Sequence, residues 1–273
     1  MKLAFGVDVG SRSTKGVLLD VGERQVLARA VLATGHDLGG AARQMFDGLL
    51  QQTGLGEKDV AYVASTGFGR YQVDFRQIQI TEITCHARGA AFRRPDTRTV
   101  LDMGAQNTRA MRVGPGGRVL QFRVNDKCAS GAGRFLERAA RALEVDLEQV
   151  GDLSLRSRSP TAISSICAVL AESEIINLVT EGSRIEDILA GAHLAITDRV
   201  SALVRQVGGE APLTLTGGVS RNAGMVKALE QRLGMPVTVP EDAEFLGALG
   251  AALLGGERLN RAGPLCPSVA SKS

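Results

Sequence analysis

Apolar positions follow two different rhythms along this chain. Short apolar runs, strand-like in length, open each half: LAFGV runs into Asp8, and TVL runs into Asp102. Each run is followed by a second strand-like run, a turn and a third: VLLD-VGER-QVLARAV in the first half, MRV-GPGG-RVLQFRV in the second. Pro115, Gly116 and Gly117 are strong turn signals. Between the two copies, helices are expected near residues 39–52 and 81–92, with a strand at AYVAST (61–66). After the second copy the rhythm becomes mainly helical. RFLERAARAL (134–143) places Phe135, Ala139 and Leu143 on one face, and residues 168–180 and 185–206 read the same way. A strand at PLTLTG (212–217), a helix at 223–234, a strand at PVTVP (236–240) and a small-residue helix at 244–255 complete the pattern.

The two opening segments align residue by residue. DVGSRSTKGV (8–17) and DMGAQNTRAM (102–111) share Asp8/Asp102, Gly10/Gly104, Thr14/Thr108 and the basic pair Lys15/Arg109. The shared hairpin context predicts an internal duplication. Strands first and helices after, in two related halves, predict a two-lobed α/β architecture. The expected division is residues 1–97, residues 98–256 and an irregular tail over 257–273.

Composition narrows the function. With 273 residues the chain has ample length for a core without disulfide staples, and 44% hydrophobic against 22% charged residues excludes a disordered or fibrous chain. The 33 glycines point to many tight turns and close backbone approaches. No Trp and 4% aromatics argue against a base-stacking platform, and a net charge of +3 argues against a nucleic-acid or membrane partner. The longest small-apolar run, 245–256, is glycine-broken and too short to span a bilayer. MKLAFGVDVG does not read as a signal peptide, so the expected location is the cytoplasm.

The aligned segments carry phosphate chemistry. A nucleoside triphosphate needs backbone N–H donors close to its oxygens, and carboxylates to hold Mg²⁺ or its waters. DVGSRSTK offers Asp8, the Gly10–Ser11–Arg12 turn, hydroxyls at Ser13 and Thr14, and the Lys15 cation. DMGAQNTR offers Asp102, Gly104, Ala105, Gln106 and Arg109. A third motif, LTGGVSRN (215–222), sets Gly217 and Gly218 between a strand and a helix, with Asn222 at its end. Bare backbone there can lie flat against a purine. There is no GxxxxGK[ST] loop. ASTGFGR (64–70) reads as a turn ending a strand, shaped by Gly67 and Gly69, with Arg70 near a dimer or partner surface.

Cys128 and Cys167 stand just ahead of expected helices, where the helix dipole favours a thiolate or an anionic cluster; Ser130, Ser164 and Ser165 are candidate caps. They are too far apart for a CxxC run. Two thiolates fall short of the four that a [4Fe–4S] cluster takes, a shortfall that disappears if two similar subunits each give two. Small core residues at helix starts are the competing explanation. The pair Cys85–His86 fits packing better than metal ligation, because further ligands are lacking. Cys266 reads as an incidental thiol in the tail, and His36 and His193 receive no role.

The order DVGS…DMGA…LTGGVSRN resembles the superfamily of sugar kinases, actin and heat-shock chaperones. That resemblance implies duplicated ribonuclease-H-like lobes, ATP or ADP in the cleft, and Mg²⁺ associated with Asp8 and Asp102. A sharper resemblance rests on GVDVGSRSTK, ASTGFGR, TEITCHARGA, DMGAQNTR, NDKCASGAGRFLE, SSICAVLAESEIINLV, LTGGVSRN and EFLGALGAALL. These look like the BadF/BadG/BcrA/BcrD ATPase family, which contains activators of 2-hydroxyacyl-CoA dehydratases and ATPase subunits of benzoyl-CoA reductase. The resemblance implies one [4Fe–4S] cluster bridged between two subunits through residues matching Cys128 and Cys167. It further implies a dimer with a second copy or a homologous subunit, a ferredoxin-type electron donor, and an acyl-CoA reductase or dehydratase that receives one low-potential electron.

The second phosphate segment departs from the activator pattern DIGGQDSK: Ala105 replaces Gly, Asn107 replaces Asp and Arg109 replaces Lys. Ala105 is tolerable if its φ is negative. Asn107 removes a charge. Gln106 is kept and is the candidate for orienting the attacking water. The Gly-to-Ala change leans toward a benzoyl-CoA reductase subunit. Two other classes compete. A small-molecule kinase needs an acceptor-side Asp, and none stands out beyond the phosphate motifs. A non-catalytic nucleotide switch leaves both cysteine segments unexplained.

Overall fold

The computed structural model describes residues 2–125, 133–164 and 168–262. The expected class holds: the fold is α/β, with one five-stranded mixed sheet in each of two units. The first unit comprises residues 1–85 and 248–273, and the second residues 86–247. The chain passes between them inside helices α2 (Glu82–Arg93) and α8 (Leu246–Ala262).

The first sheet has the order β3-β2-β1-β4-β5, built from Leu3–Val9 (β1), Ser13–Asp20 (β2), Gln25–Ala33 (β3), Val60–Thr66 (β4) and Ile78–Gln79 (β5). β1, β2 and β3 form an antiparallel meander, while β4 joins β1 in parallel. The second sheet repeats this order through Thr99–Met103 (β6), Thr108–Gly114 (β7), Arg118–Asn125 (β8), Leu213–Thr216 (β9) and Val237–Thr238 (β10). β6, β7 and β8 are the meander and β9 the parallel neighbour of β6. The duplication expected from ten aligned residues therefore extends over a whole sheet topology.

β1 is buried at every position, because helices cover both of its faces. On one face α1 (Leu38–Thr53) supplies Met45, Phe46 and Leu49 against Phe5, Leu18 and Val63. Its start is fixed by Asp37, whose carboxylate accepts from the Gly40 N–H at 2.8 Å, and Gly54 closes its end. On the other face α8 lies directly on the strand: a Cβ at Gly6 would collide with the Ala248 carbonyl. The small residues of α8 allow that approach.

The second unit buries its own core. α3 (Gly133–Ala142), α5 (Ala168–Thr180), α6 (Ile185–Gln206) and α7 (Ala223–Leu233) pack Phe135, Ile175, Ile188, Ile196 and Leu229 against Leu101, Met103 and Leu215 of the sheet. A short α4 (Val150–Ser154) sits between α3 and α5 in the chain. α8 continues to Ala262, past Glu257 where irregular tail was expected to begin. Leu259 explains the extension, since it is buried with Ala4 and Tyr62 and gives the last turns an apolar anchor.

Phe46 is fully buried, with its ring 4.8 Å from Phe5 and 5.2 Å from Phe75. Phe46→Ala is expected to cost about 3–5 kcal/mol through lost transfer energy and the cavity left behind. Urea unfolding of the variant checks it; a loss below about 1 kcal/mol would contradict this packing.

Candidate functional site

Both phosphate-type hairpins are tight two-residue turns at the ends of their strands. In the first unit Asp8 faces Lys15 across the ladder and Val9 faces Thr14. The turn closes when the Gly10 N–H donates to the Ser13 carbonyl at 3.2 Å, leaving Ser11 and Arg12 at the tip. In the second unit Asp102 faces Arg109, Met103 faces Thr108, and the Gly104 N–H donates to the Asn107 carbonyl at 2.9 Å. Ala105 and Gln106 form that tip. Neither has a positive φ, so the Cβ of Ala105 brings no backbone strain.

The strand ends differ in their chemistry. Asp8 is 7% exposed and Lys15 8%; the Lys15 Nζ donates to the Ser13 carbonyl at 3.3 Å. Thr14 shares a 2.9 Å hydroxyl contact with Thr34, which in turn donates to the Gly10 carbonyl at 2.8 Å, so a buried threonine pair braces the first turn. Asp102 is only 2% exposed, and its Oδ2 takes a 2.7 Å charge-assisted hydrogen bond from an Arg109 terminal nitrogen. Its Oδ1 lies 3.5 Å from Nδ1 of His86.

Each aspartate also has a threonine and a glycine beside it, a correspondence the sequence reading missed. Thr66 pairs with Asp8 and Thr216 with Asp102 in the parallel ladders. Gly67 follows with φ +91° and Gly217 with φ +87°. Apart from that left-handed backbone, a Cβ at Gly67 would sit 2.5 Å from Asp8 Oδ1, and one at Gly217 2.6 Å from Asp102 Oδ1. Gly217 is thus required by the carboxylate next to it. Gly218 is exposed with open space at its Cα, and Asn222 caps α7 by accepting from the Met225 N–H at 2.8 Å. Arg70 braces its own turn: it donates to the Gly67 carbonyl at 3.0 Å, pairs with Glu82 at 3.6 Å and stacks on Tyr71.

The second hairpin is tied to the helix that follows. The N–H groups of Gly133 and Arg134, the first two residues of α3, donate to the carbonyls of Gly104 and Ala105 at 2.9 and 2.8 Å. α3 packs on α5 through Phe135, Leu136, Ala171 and Ile175, and Arg138 pairs with Glu172 at 3.0 Å. The strap before α5 is pinned as well. Asp187 Oδ1 accepts from the Ser157 hydroxyl and the Arg158 and Ser159 amides, and Ser164 bonds Glu174. Those amide and hydroxyl bonds hold the Asp187 carboxyl below the usual range.

Cys128 and Cys167, with the cap candidates Ser130 and Ser165 and the tail residue Cys266, lie outside the described residues. Cys85 is fully buried, and burial pushes its thiol well above the ordinary range. Among the described residues no cluster of His, Cys, Asp and Glu could hold a metal ion, and no helix is long and apolar enough to cross a membrane.

The repeated sheet, with an aspartate at the same strand end of each copy, defines an α/β ATPase fold of the actin/sugar-kinase/chaperone type. The chain belongs to the BadF/BadG/BcrA/BcrD ATPase family, whose model matches residues 5–255. It is 41% identical over 249 residues to the 2-hydroxyisocaproyl-CoA dehydratase activator of Clostridioides difficile, covering 91% of this chain and 93% of that one. It is 37% identical over 275 residues to a benzoyl-CoA reductase subunit of Thauera aromatica, covering 96% and 97%. Among solved structures, the Clostridium difficile activator with bound ADPNP superposes with a TM-score of 0.91 at 37% identity, covering 98% of this chain and all of that one.

His193 of α6 is buried at the base of the LTGGVSRN segment, against Asn222 and Gly224. Neither ring nitrogen meets a partner in hydrogen-bonding geometry among the described residues. Burial, outweighing the Asn222 side chain, pulls its pKa from 6.5 down to about 4. The unfolded chain therefore takes up a proton that the folded chain refuses between those values. Stability is full above about pH 6.5 and falls as the pH drops toward 4, by about 3 kcal/mol. Urea midpoints at pH 7 and pH 4.5 check this: His193→Gln should flatten the dependence, and an equal slope in both proteins contradicts it.

Proposed function

We propose that this chain is the ATP-hydrolysing activator of a 2-hydroxyacyl-CoA dehydratase, acting in the cytoplasm. In this reading Cys128 and Cys167, with the same pair from a second subunit, hold one [4Fe–4S] cluster that accepts an electron from a ferredoxin-type donor. When bound, the cluster supplies a one-electron donor of low potential. The Gly-to-Ala change at 105 leans toward a benzoyl-CoA reductase subunit, but one position weighs less than the whole chain. Identity is 41% to a dehydratase activator and 37% to the reductase subunit. The reductase reading therefore stands second.

The residues suit the nucleotide chemistry. Asp8 and Asp102 are hard oxygen donors of the kind Mg²⁺ takes, usually through retained waters. Asp102, with Oδ2 committed to Arg109, fits a hold on a metal-bound water better than direct ligation. The Gly10–Thr14 and Gly104–Ala105 turns would offer to phosphates backbone N–H groups other than the Gly10 and Gly104 amides that close them, Lys15 a cation, Gln106 an orienting amide for water, and Gly217, Gly218 and Asn222 the nucleoside side of the site. The cluster's proposed ligands lie outside the described residues, and Cys85 is unsuited to replace them.

The observation that carries the coupling is the pair of hydrogen bonds from Gly133 and Arg134 to Gly104 and Ala105. A phosphate that draws on the turn must strain or move the start of α3, and Cys128 stands a few residues before that start. ATP and ADP can bias the cluster only by binding two such arrangements unequally.

Protein purified without oxygen should be brown with about four irons per dimer. Cys128→Ser or Cys167→Ser should abolish the iron, and iron-free wild-type protein or iron-replete variants would overturn the reading. Arg134→Pro removes one of the two linking N–H groups at a helix position that tolerates proline. It should leave ATP hydrolysis within about threefold while electron delivery to a purified dehydratase falls at least about tenfold. Arg134→Ala, which keeps the N–H, should behave as wild type. Wild-type delivery by Arg134→Pro contradicts the coupling.

A further inference from the structure

In α2, Cys85 falls in the first unit and His86 in the second. Cys85 lies against Thr66 and near Asp8 in the first unit, while His86 lies against Thr216 and Asp102 in the second. The two environments are equivalent in topology and different in chemistry. The thiol is buried and protonated. The imidazole is 3% exposed, with Nδ1 2.9 Å from the Thr216 hydroxyl and 3.5 Å from Asp102 Oδ1.

We propose that His86 is a positioning residue for Asp102 in ATP hydrolysis. Arg109 holds Oδ2 of that carboxylate through a single close nitrogen at 2.7 Å. One contact of that kind leaves the carboxylate plane loosely defined, because the torsion about an sp³–sp² bond has broad wells. A donor beside the second oxygen removes that freedom. With the proton on Nδ1, His86 faces the Thr216 oxygen and Oδ1 together, and the nearby carboxylate favours that tautomer. Thr216 is fixed by its place in β9 opposite Asp102, so the imidazole is anchored from the strand that neighbours the aspartate. Gly217 completes the arrangement by leaving the Oδ1 side clear of any Cβ. Asp102 is thereby hydrogen-bonded from β7 through Arg109 and approached at 3.5 Å by the α2 imidazole, which is itself hydrogen-bonded to Thr216 of β9.

The inference rests on the ATPase reading alone and needs no cluster. His86→Phe keeps the bulk and loses the donor. His86→Asn replaces Nδ1 by an amide that can still donate at nearly the same place. His86→Phe should lower kcat for ATP about 10- to 100-fold, as loss of a group that orients a site carboxylate typically does, with KM for ATP within about threefold. His86→Asn should recover most of that loss. Affinity for magnesium–ADP, measured by calorimetry, should stay within about threefold in both. Should His86→Phe fail to fold, Thr216→Val releases the imidazole from its anchor at constant volume and should also lower kcat. Where His86→Phe folds, Thr216→Val should add little to its loss, since both act through one contact. A kcat within about twofold of wild type in His86→Phe or Thr216→Val, full additivity of Thr216→Val with His86→Phe, or a loss confined to KM overturns the inference. A wild-type chain that hydrolyses no ATP overturns the ATPase reading instead.

Discussion

The close approach of a glycine to a carboxylate sets the design of both units. Gly67 against Asp8 and Gly217 against Asp102 leave no room for a Cβ, and both glycines sit in left-handed backbone. The strand carrying each aspartate and the parallel strand beside it therefore have to end together, with the turn folded back on the carboxylate. Sheet order follows from the same constraint. Only a neighbour parallel to β1 or β6 delivers a Thr–Gly pair to that position, and β4 and β9 are those neighbours.

Around that shared frame the two units diverge in what their cations bond. Lys15 reaches its own turn, whereas Arg109 closes onto Asp102 at 2.7 Å with both side chains under one-tenth exposed. Arginine favours this pairing because its guanidinium stays charged when buried and loses less on desolvation than an ammonium. Truncating Arg109 would strand a buried carboxylate, which costs far more than the pair contributes in net terms. The lysine-to-arginine departure at 109 is thus a change in how the aspartate is held, beyond a change of cation.

Much of this was legible in the sequence, and the rest was hidden for definable reasons. The hairpins aligned because their internal spacing is fixed by a two-residue turn. The Thr–Gly pairs in STGFGR and LTGGVSRN are equally plain as strings, but they stand at different distances from their aspartates. The second copy has α3 to α6 before its parallel strand where the first has α1, so no single offset reveals the match. The string LTGGVSRN does not show that Gly217 is also required by Asp102 beside it. The roles of Cys85 and His86 depended on contacts with strands elsewhere in the chain, which no local pattern encodes. The continuation of α8 hinged on one residue, Leu259, meeting Tyr62 and Ala4.

The inserted helices explain why the two copies of one sheet need not do the same work. In the first unit the Gly10 and Arg12 carbonyls of the hairpin tip accept from Thr34, just after β3, and a threonine pair braces the turn. In the second, the tip's carbonyls are the acceptors for the start of α3, and α3 is packed and ion-paired to α5. Any shift in that turn is transmitted through backbone hydrogen bonds into a close-packed helix pair, and close packing moves as a body instead of absorbing strain. The two turns share one backbone geometry, and the helices that follow the second give its tip carbonyls helix amides as donors where the first has Thr34.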